Sequence, residues 1–253
     1  MEIDVFNKII RRFGVMLGNA LNFMLMPYLR QYFQDYPLFL AMDTLVGNEI
    51  EGDYYEFGVF RGRSMSLVFK RLRASLPKKY FKPMRFVAFD SFQGLPQSHD
   101  TATPAHYHQG AYAAPRRLFE RNMRRVGLRG DKLVVVPGFY DQSLNAPETQ
   151  AQLQASKVAL CYIDCDIYES TVSALDFLTD RLQQGSMLVL DDWNRHRVSD
   201  SFGLRRAVKE WLGRNPHIRL TQMFLSKRVL FAVDIVPSEP AMRETARLAE
   251  ATN

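Results

Sequence analysis

Residues 158–171 read VALCYIDCDIYEST, an apolar run that ends in two acidic residues separated by one position. The run over residues 158–163 has the length and composition of a strand buried on both faces of a parallel sheet. A second apolar run, residues 186–190, ends in the pair Asp191 and Asp192. Open α/β sheets bind their ligands beyond the carboxyl ends of the strands. The residues that follow each strand therefore carry the information about function.

The same alternation of strands and helices extends in both directions from this segment. Further β-rich runs cover residues 53–57, 85–89, 132–136, 219–224 and 228–235. Helical patterns occupy residues 63–74, 115–126, 141–155, 168–182 and 203–212. The alternation predicts an α/β fold with a doubly wound, mostly parallel, seven-stranded sheet. No helix separates the last two runs, so we expect an antiparallel hairpin at one edge of the sheet.

The chain before the first strand has a different character. Apolar residues recur at helical spacing between Phe6 and Met24, and residues 28–43 have the pattern of a second helix. We predict a helical appendage over residues 1–51, a main domain over residues 52–236 and a polar tail over residues 237–253. The apolar face of residues 5–26 is expected to pack on the domain or on a second subunit, with contact to a membrane surface as the alternative. The apolar stretch of residues 13–26 is too short to span a bilayer.

Composition excludes several classes of protein. Of the 253 residues, 47% are hydrophobic and 24% are charged, which is ordinary for a globular protein and argues against disorder and against a multi-span membrane protein. The net charge of +6 permits contact with phosphate groups or an acidic membrane surface but requires neither. Cys161 and Cys165 lie in one apolar run where a disulfide does not fit an extended strand, and two free thiols indicate a reducing cytoplasm.

The first strand is followed by a glycine-containing turn, EFGVFRGRS. Gly58 allows a sharp turn, and Gly62 lets the backbone approach a ligand at a helix N-terminus. Ser64 offers a hydroxyl there, and Glu56 is a carboxylate acceptor for a cationic amine. Phe60 stands where the dinucleotide pattern G-x-G-x-x-G has its middle glycine, so this is a different turn. A tight strand–helix turn that binds no ligand is the alternative.

The second and third strands also end in candidate ligand-binding residues. The second ends in Asp90-Ser91-Phe92, and an acidic residue at this place commonly accepts hydrogen bonds from ribose hydroxyls. The ring of Phe92 offers an aromatic face for a base. Gly138 follows the third strand and permits close approach of a ligand such as an adenine. Simple turns are the alternative at both places.

Four carboxylates follow the fourth and fifth strands: Asp164, Asp166, Asp191 and Asp192. If the two strands are neighbours, these side chains lie together, and their repulsion protonates one of them unless a cation lies among them. Oxygen ligands favour a hard ion such as Mg²⁺ over zinc, and Asp164, Asp191 and Asp192 are the candidate ligands. For Asp166 the alternative is a helix N-cap, with Glu169 completing an arrangement like a capping box.

Together, the segments YYEFGVFRGRSM, FVAFDSFQGLP, VPGFYDQSL, YIDCDIYEST and LVLDDW resemble the macrocin O-methyltransferase family over about residues 52–212. Members of this family are bacterial sugar O-methyltransferases that use S-adenosylmethionine. The resemblance implies a class I methyltransferase-like fold, with S-adenosylmethionine and Mg²⁺ as cofactors. It implies that Asp164, Asp191 and Asp192 bind Mg²⁺ and that Asp166 is the general base for the acceptor hydroxyl. His196 is a second candidate base, with an exposed loop histidine as the alternative.

The resemblance also implies that Glu56, Gly58, Gly62 and Ser64 surround the methionine part of the cofactor and that Asp90 binds its ribose. The other candidate cofactor-binding residues at the strand ends are Phe60, Ser91, Phe92, Gly138 and Asp164. The layout is more distantly similar to that of catechol O-methyltransferases, which carry a lysine base three residues beyond the first metal ligand. Ile167 occupies that position here, so a carboxylate base is the better fit.

A long polar loop, residues 93–112, is the candidate lid or substrate wall. Its histidines, His99, His106 and His108, are expected to be solvated rather than to bind a second metal. Basic clusters at residues 70–82 and 116–132 indicate solvated helix faces or an acceptor that carries phosphate or a lipid-linked sugar. No motif indicates a nucleic-acid partner.

The sequence leaves two other functions open. A metal-dependent glycosyltransferase also has apolar residues before a D-x-D motif, and a non-catalytic scaffold on a membrane surface would keep only the fold. The turn after the first strand and the second acidic pair favour the methyltransferase. We expect a homo-oligomer located in the cytoplasm, free or peripheral at the inner face of the membrane.

Overall fold

The computed structural model describes residues 2–236, with the backbone alone for residues 2–13, 17, 20 and 22. The predicted tail, residues 237–253, lies outside the described residues. The helices are α1 Glu2–Gly47, α2 Arg63–Ser75, α3 Lys78–Phe81, α4 Arg116–Val126, α5 Tyr140–Ser143, α6 Pro147–Leu153, α7 Tyr168–Leu178 and α8 Gly203–Arg214. The strands are β1 Asp53–Phe57, β2 Phe86–Asp90, β3 Leu133–Pro137, β4 Val158–Ile163, β5 Met187–Leu190, β6 Ile218–Leu225 and β7 Val229–Ile235. Short 3₁₀ turns cover Gly130–Lys132 and His196–Val198.

All seven strands form one sheet in the order β3-β2-β1-β4-β5-β7-β6. The first five strands in this order, β3, β2, β1, β4 and β5, are parallel to one another. Strand β7 runs antiparallel to β5 and to β6. The order reverses between β1 and β4, which opens a crevice at the carboxyl edge beside these two strands. The doubly wound α/β sheet with its antiparallel C-terminal hairpin is thus confirmed.

The core has two layers because side chains alternate between the faces of each strand. On one face, Tyr55 and Phe57 of β1 pack in a cluster that includes residues of α7 and α8. On the other face, Tyr54 packs in a cluster with Met65 and Phe69 of α2. Both layers meet on β4, whose six residues are all buried, as the apolar composition of that strand predicts.

Helix α1 runs without interruption through Pro27, so the prediction of two separate N-terminal helices was wrong. Proline removes one intrahelical hydrogen bond and lowers the stability of a helix by about 3 kcal/mol. In this helix of 46 residues, the other hydrogen bonds outweigh that loss and the helix continues past Pro27. No helix among the described residues has the length and apolarity needed to cross a membrane.

The chain divides into two compact units, Met1–Tyr36 and Pro37–Asn253, whereas the predicted boundary follows residue 51. In the first unit, large apolar side chains are exposed: Val15, Met16, Leu21, Phe23, Met24, Leu25, Met26, Tyr28, Leu29, Tyr32 and Phe33. In the second unit, the last turns of α1 are part of the core. Leu38, Ala41, Met42 and Leu45 recur at helical spacing and are completely buried.

Candidate active site

A cavity of about 280 Å³ lies at the carboxyl edge of the parallel strands. The residues that follow β1 to β5 line it, together with the loop between β2 and α4. Of the predicted site residues, the lining includes Gly58, Phe60, Asp90, Ser91, Gly138, Asp164, Asp166, Asp191 and Asp192. It does not include Glu56, Gly62, Ser64, Phe92 or His196.

The turn after β1 and the residue after β4 are packed so closely that Gly58 has no room for a side chain. Its φ is 86°, and a Cβ atom built on it would lie 2.0 Å from the backbone oxygen of Asp164. The Asp164 amide donates to the Phe57 carbonyl at 2.9 Å. The glycine therefore lets the two strand ends meet, and it places the first acidic residue beside the turn.

Replacing Gly58 with alanine is expected to lower the free energy of unfolding by at least about 3 kcal/mol, because left-handed strain and a backbone clash act together. Urea unfolding followed by circular dichroism measures the change. Gly213→Ala is the matched control, since Gly213 lies in α8 with nothing within 4 Å of the added Cβ. It should leave stability unchanged or raise it slightly. Equal stability of the two variants would contradict the packing described for Gly58.

Glu56 is completely buried on β1 and binds neighbouring hydroxyls. It accepts hydrogen bonds from Tyr54 at 2.5 Å and from Ser64 in the first turn of α2. Burial raises its pKa to about 7, although both hydrogen bonds oppose this shift. Glu56 thus acts on the shape of the turn through Ser64 and does not line the cavity.

The raised pKa of Glu56 predicts how the free energy of unfolding changes with pH. Because the folded-state pKa of about 7 lies above the ordinary 4.5, ionising Glu56 costs folding free energy, and the cost appears as the pH rises from 4.5 through 7. Glu56→Gln removes the ionisation and keeps the shape. Relative to the wild type, the variant should gain about 2–4 kcal/mol between pH 4.5 and pH 8 in urea unfolding. Exposed Glu148→Gln is the control, and parallel pH curves for wild type and Glu56→Gln would refute the assignment.

Asp90 fixes the turn after β1 from the neighbouring strand. One carboxylate oxygen accepts from the amides of Val59 at 3.0 Å and Phe60 at 2.9 Å, and the other accepts from the amide of Phe92 at 2.7 Å. Burial raises the pKa of Asp90, and the three amides oppose this. Three of the four acceptor positions of the carboxylate are therefore occupied at the cavity wall, and one on Oδ1 is left for a ligand hydroxyl.

The aromatic ring predicted to face a base, that of Phe92, does not line the cavity. Phe92 packs against Phe119 at 5.8 Å between ring centroids and is absent from the lining. Phe139 and Tyr140, which directly follow Gly138, line the cavity instead. Their position after a strand end is a signal that the sequence analysis missed.

Three of the four carboxylates that follow β4 and β5 converge, and this set contains Asp166 where the predicted ligand set has Asp191. One oxygen each from Asp164, Asp166 and Asp192 lies within 4.8 Å of the others. Asp191 is adjacent but turned toward a different set of partners. It accepts from the Tyr162 hydroxyl at 2.7 Å and from Arg228 Nε at 3.0 Å. We call these four aspartates the acidic centre.

Three cationic side chains border the acidic centre, and the sequence analysis identified none of them. Arg228 pairs with Asp191, and Arg195 Nε lies 3.0 Å from Asp192 Oδ1. Lys227 Nζ lies 3.4 Å from Asp191 Oδ1 and 3.7 Å from Asp192 Oδ1.

The pKa values of the acidic centre follow from burial and from these charges. Burial, followed by repulsion from Asp191, Asp166 and Asp192, raises the pKa of Asp164. Burial and the neighbouring Asp192 raise the pKa of Asp166 to about 8. At Asp191, burial acts in the same direction, but Arg228 and Lys227 outweigh it and lower the pKa.

The loop between β2 and α4 closes over the acidic centre. The buried Tyr107 donates its hydroxyl to Asp192 Oδ2 at 2.7 Å. Glu169 anchors the loop by accepting from the His99 amide at 2.7 Å, the Asp100 amide at 3.1 Å and the Ser98 hydroxyl at 3.0 Å. The long polar loop is therefore a wall of the cavity, attached to α7.

Asp166 is not the N-cap of helix α7, so the capping alternative for this residue is wrong. The N-cap of α7 is Ile167, and no side chain caps this helix. Asp166 instead has a φ of 62° and points its carboxylate into the acidic centre. Glu169 caps nothing because its two oxygens hold the loop.

His196 lies at the rim of this loop. Its Nδ1 is 3.0 Å from the Ala102 carbonyl, and its ring packs against Gly203. It is absent from the cavity lining. Among the described residues, the only group of acids, histidines or cysteines that converges as metal ligands do is the aspartate set, without a histidine.

The sheet order, the glycine turn after β1 and the acidic centre together define a class I O-methyltransferase-type domain. A solved structure with this fold, the calicheamicin methyltransferase CalS11, superposes with a TM-score of 0.65 at 22% identity and 82% coverage of both chains. A family model described as Macrocin-O-methyltransferase (TylF) matches residues 37–215. The chain belongs to this family, as the motifs of the sequence analysis predict.

Two similar proteins are named O-methyltransferases of Streptomyces. The 8-demethyl-8-(2,3-dimethoxy-alpha-L-rhamnosyl)-tetracenomycin-C 4'-O-methyltransferase of Streptomyces olivaceus is 32% identical over 69% of this chain and 63% of its own length. The demethyldecarbamoylnovobiocin O-methyltransferase of Streptomyces niveus is 27% identical over 60% of this chain and 57% of its own length. The similarity thus spans less than two thirds of each relative.

Proposed function

We propose that this chain transfers the methyl group of S-adenosylmethionine to a hydroxyl of a sugar or a sugar-containing acceptor, with the help of a divalent cation. The observation that carries the proposal is the convergence of the acidic centre on the cavity that also contains the glycine turn and Asp90. Family membership and the rhamnosyl group in the name of the Streptomyces olivaceus relative support the acceptor class.

The acidic centre fits a hard divalent cation. Oxygens that share such an ion at about 2.1–2.6 Å lie at most about 4–5 Å apart. The oxygens of Asp164, Asp166 and Asp192 meet this requirement within 4.8 Å. Asp164 and Asp192 belong to this set, and we propose these two residues, together with the adjacent Asp191, as those that hold Mg²⁺. Asp166, the third member of the set, is proposed for proton transfer. When bound, the ion would lower the pKa of an acceptor hydroxyl and orient it.

The cofactor side of the cavity is formed by the ends of β1, β2 and β3. Gly58 and Phe60 present the backbone of the first turn, and Asp90 offers a carboxylate lone pair to a ribose hydroxyl. Phe139 and Tyr140 supply apolar surface for a base. S-adenosylmethionine would supply an electrophilic methyl group, so the chain itself has mainly to position and polarise the reactants.

The acceptor side is formed by the loop and by the cations. Tyr107 and Tyr112 line the cavity there, as do Arg195 and Lys227. Tyrosine rings suit the apolar faces of sugars, and the cations suit an acceptor that carries phosphate, including a lipid-linked one. Asp166 also lines the cavity and would take the hydroxyl proton in its ionised form.

Calorimetric titration of the purified chain with S-adenosylhomocysteine and with UDP, each with Mg²⁺, tests the class of function. We expect binding of S-adenosylhomocysteine and none of UDP. Binding of UDP alone would indicate a glycosyltransferase, and binding of neither would indicate a scaffold. A methyl-transfer assay with rhamnosylated natural products and nucleotide-linked sugars then identifies the acceptor.

Two further parts of the proposal concern location and assembly. The exposed apolar side chains of the first unit suit self-association into a homo-oligomer or peripheral contact with a membrane. Light scattering and co-sedimentation with anionic vesicles separate these two partners. The buried free thiols of Cys161 and Cys165 support a reducing compartment such as the cytoplasm.

A further inference from the structure

The hairpin between β6 and β7 brings a lysine to the acidic centre. Because β7 is antiparallel to β5, its first residue, Val229, pairs with Leu190 at the end of β5. The two residues before Val229 therefore lie beside the two residues after Leu190. These are Lys227 and Arg228 on the hairpin and the Asp191–Asp192 pair on the sheet.

The hairpin turn makes hydrogen bonds within itself and to a neighbouring segment. The Ser226 amide donates to the Arg228 carbonyl at 2.7 Å, and the Asn194 side-chain amide donates to the Ser226 carbonyl at 2.5 Å. The second contact ties the turn to the segment that follows the aspartate pair. These contacts place the Lys227 backbone beside the aspartate pair, within reach of its side chain.

The three cations at the acidic centre are bound with different strength. Arg228 is buried, donates to Asp191 at 3.0 Å and lies over the Tyr162 ring at 5.2 Å. Arg195 donates to Asp192 at 3.0 Å. Lys227 is 42% exposed, lines the cavity and approaches its carboxylates only to 3.4 and 3.7 Å. Breaking an exposed, long ion pair costs little, whereas unpairing a buried arginine costs much.

The position of the Lys227 ammonium is that of a bridging cation. It lies between one oxygen of Asp191 and one oxygen of Asp192, the two adjacent carboxylates proposed as ligands. With four aspartates and three cations, the centre carries one excess negative charge when all groups are ionised. A divalent ion held by these carboxylates would meet Lys227 as a like charge beside it.

We propose that Lys227 is the resident counter-cation of the acidic centre and that a divalent cation displaces its ammonium from Asp191 and Asp192. The inference rests on the proposed function in one respect, the binding of a divalent ion to this centre. Lys227 stabilises the ion-free protein by offsetting carboxylate repulsion. It also sets the affinity for the ion, because every ion that binds must first displace it.

Binding of Mn²⁺ to the full chain, followed by electron paramagnetic resonance of the free ion, tests the competition. Lys227→Gln removes the charge, Lys227→Arg keeps it, and Lys209→Gln removes an exposed lysine on α8 as the matched control. We expect Lys227→Gln to bind Mn²⁺ about three- to fivefold more tightly, the upper part of the range for loss of one exposed charge contact. The other two variants should stay within about twofold of the wild type.

Thermal unfolding gives a second readout that does not depend on activity. Without a divalent ion, Lys227→Gln should have a lower Tm than the wild type, and saturating Mn²⁺ should raise its Tm by more. Unchanged or weaker Mn²⁺ binding in Lys227→Gln would overturn the proposal.

A wild type that binds no Mn²⁺ at millimolar concentration would also overturn it. In that case, methyl transfer measured in EDTA shows whether the proposed enzyme acts without the ion, so the two failures can be told apart.

Discussion

Asp166→Asn is expected to lower the rate of methyl transfer by about 10²- to 10⁴-fold, the usual contribution of a general base. The substitution keeps the size of the side chain, and asparagine tolerates the φ of 62° at this position. What it removes is the ability to accept a proton. Binding of S-adenosylhomocysteine should remain within a few-fold of the wild type, since Asp166 belongs to the acceptor side of the chemistry.

The pH dependence of the methyl-transfer rate gives a second test of Asp166. Because the pKa of Asp166 is raised to about 8, the ionised base becomes more abundant as the pH rises through 8, and the slow residual rate that remains without added divalent ion should rise with it. The residual rate of Asp166→Asn should lack this rise. Exposed Asp180→Asn is the control and should behave as the wild type. Full activity of Asp166→Asn would remove Asp166 from the mechanism and return His196 to consideration.

Asp164→Asn is expected to have the second large effect, on ion binding and on the rate of methyl transfer. We expect Mn²⁺ to bind at least about tenfold more weakly and methyl transfer to fall at least about a hundredfold, because a carboxylate ligand of the ion is lost. The ion-free variant should unfold at a higher temperature than the ion-free wild type. The reason is that Asp164, whose pKa is raised by burial and by three neighbouring carboxylates, no longer contributes repulsion.

The opposite signs of these effects distinguish a ligand from a structural residue. A merely structural aspartate would lose stability and activity together when replaced. Asp131→Asn, in the exposed turn Gly130–Lys132, is the control and should change neither quantity. A wild-type rate that EDTA leaves unchanged, together with an active Asp164→Asn, would show that the reaction needs no divalent ion.

Much of the fold was predictable because it depends on local patterns. The apolar run of β4, the helix that follows it and the missing helix between β6 and β7 are properties of contiguous sequence. The wrong prediction at Pro27 has the same origin. A proline marks a local loss of one hydrogen bond, and the sequence does not reveal whether the rest of a long helix outweighs it.

The site was predictable where the residues follow parallel strands. Parallel strands end at one edge, so Asp90, Gly138 and the acidic centre were expected to meet before their distances were known. The partners of these residues were not predictable in this way. Tyr107 and Glu169 meet across a loop whose path no periodicity describes, and Phe92 turns toward Phe119 rather than the cavity.

By itself, the sequence determined the order of elements, the residues at each strand end and thereby the family of this chain. Only the tertiary structure decided which charges face each other. Asp191 could have been one more equivalent carboxylate, but the antiparallel pairing of β7 with β5 sets Arg228 and Lys227 against it. The physical reason is that strand patterns depend on neighbours along the chain, whereas electrostatic pairing depends on distances in space between residues far apart in sequence.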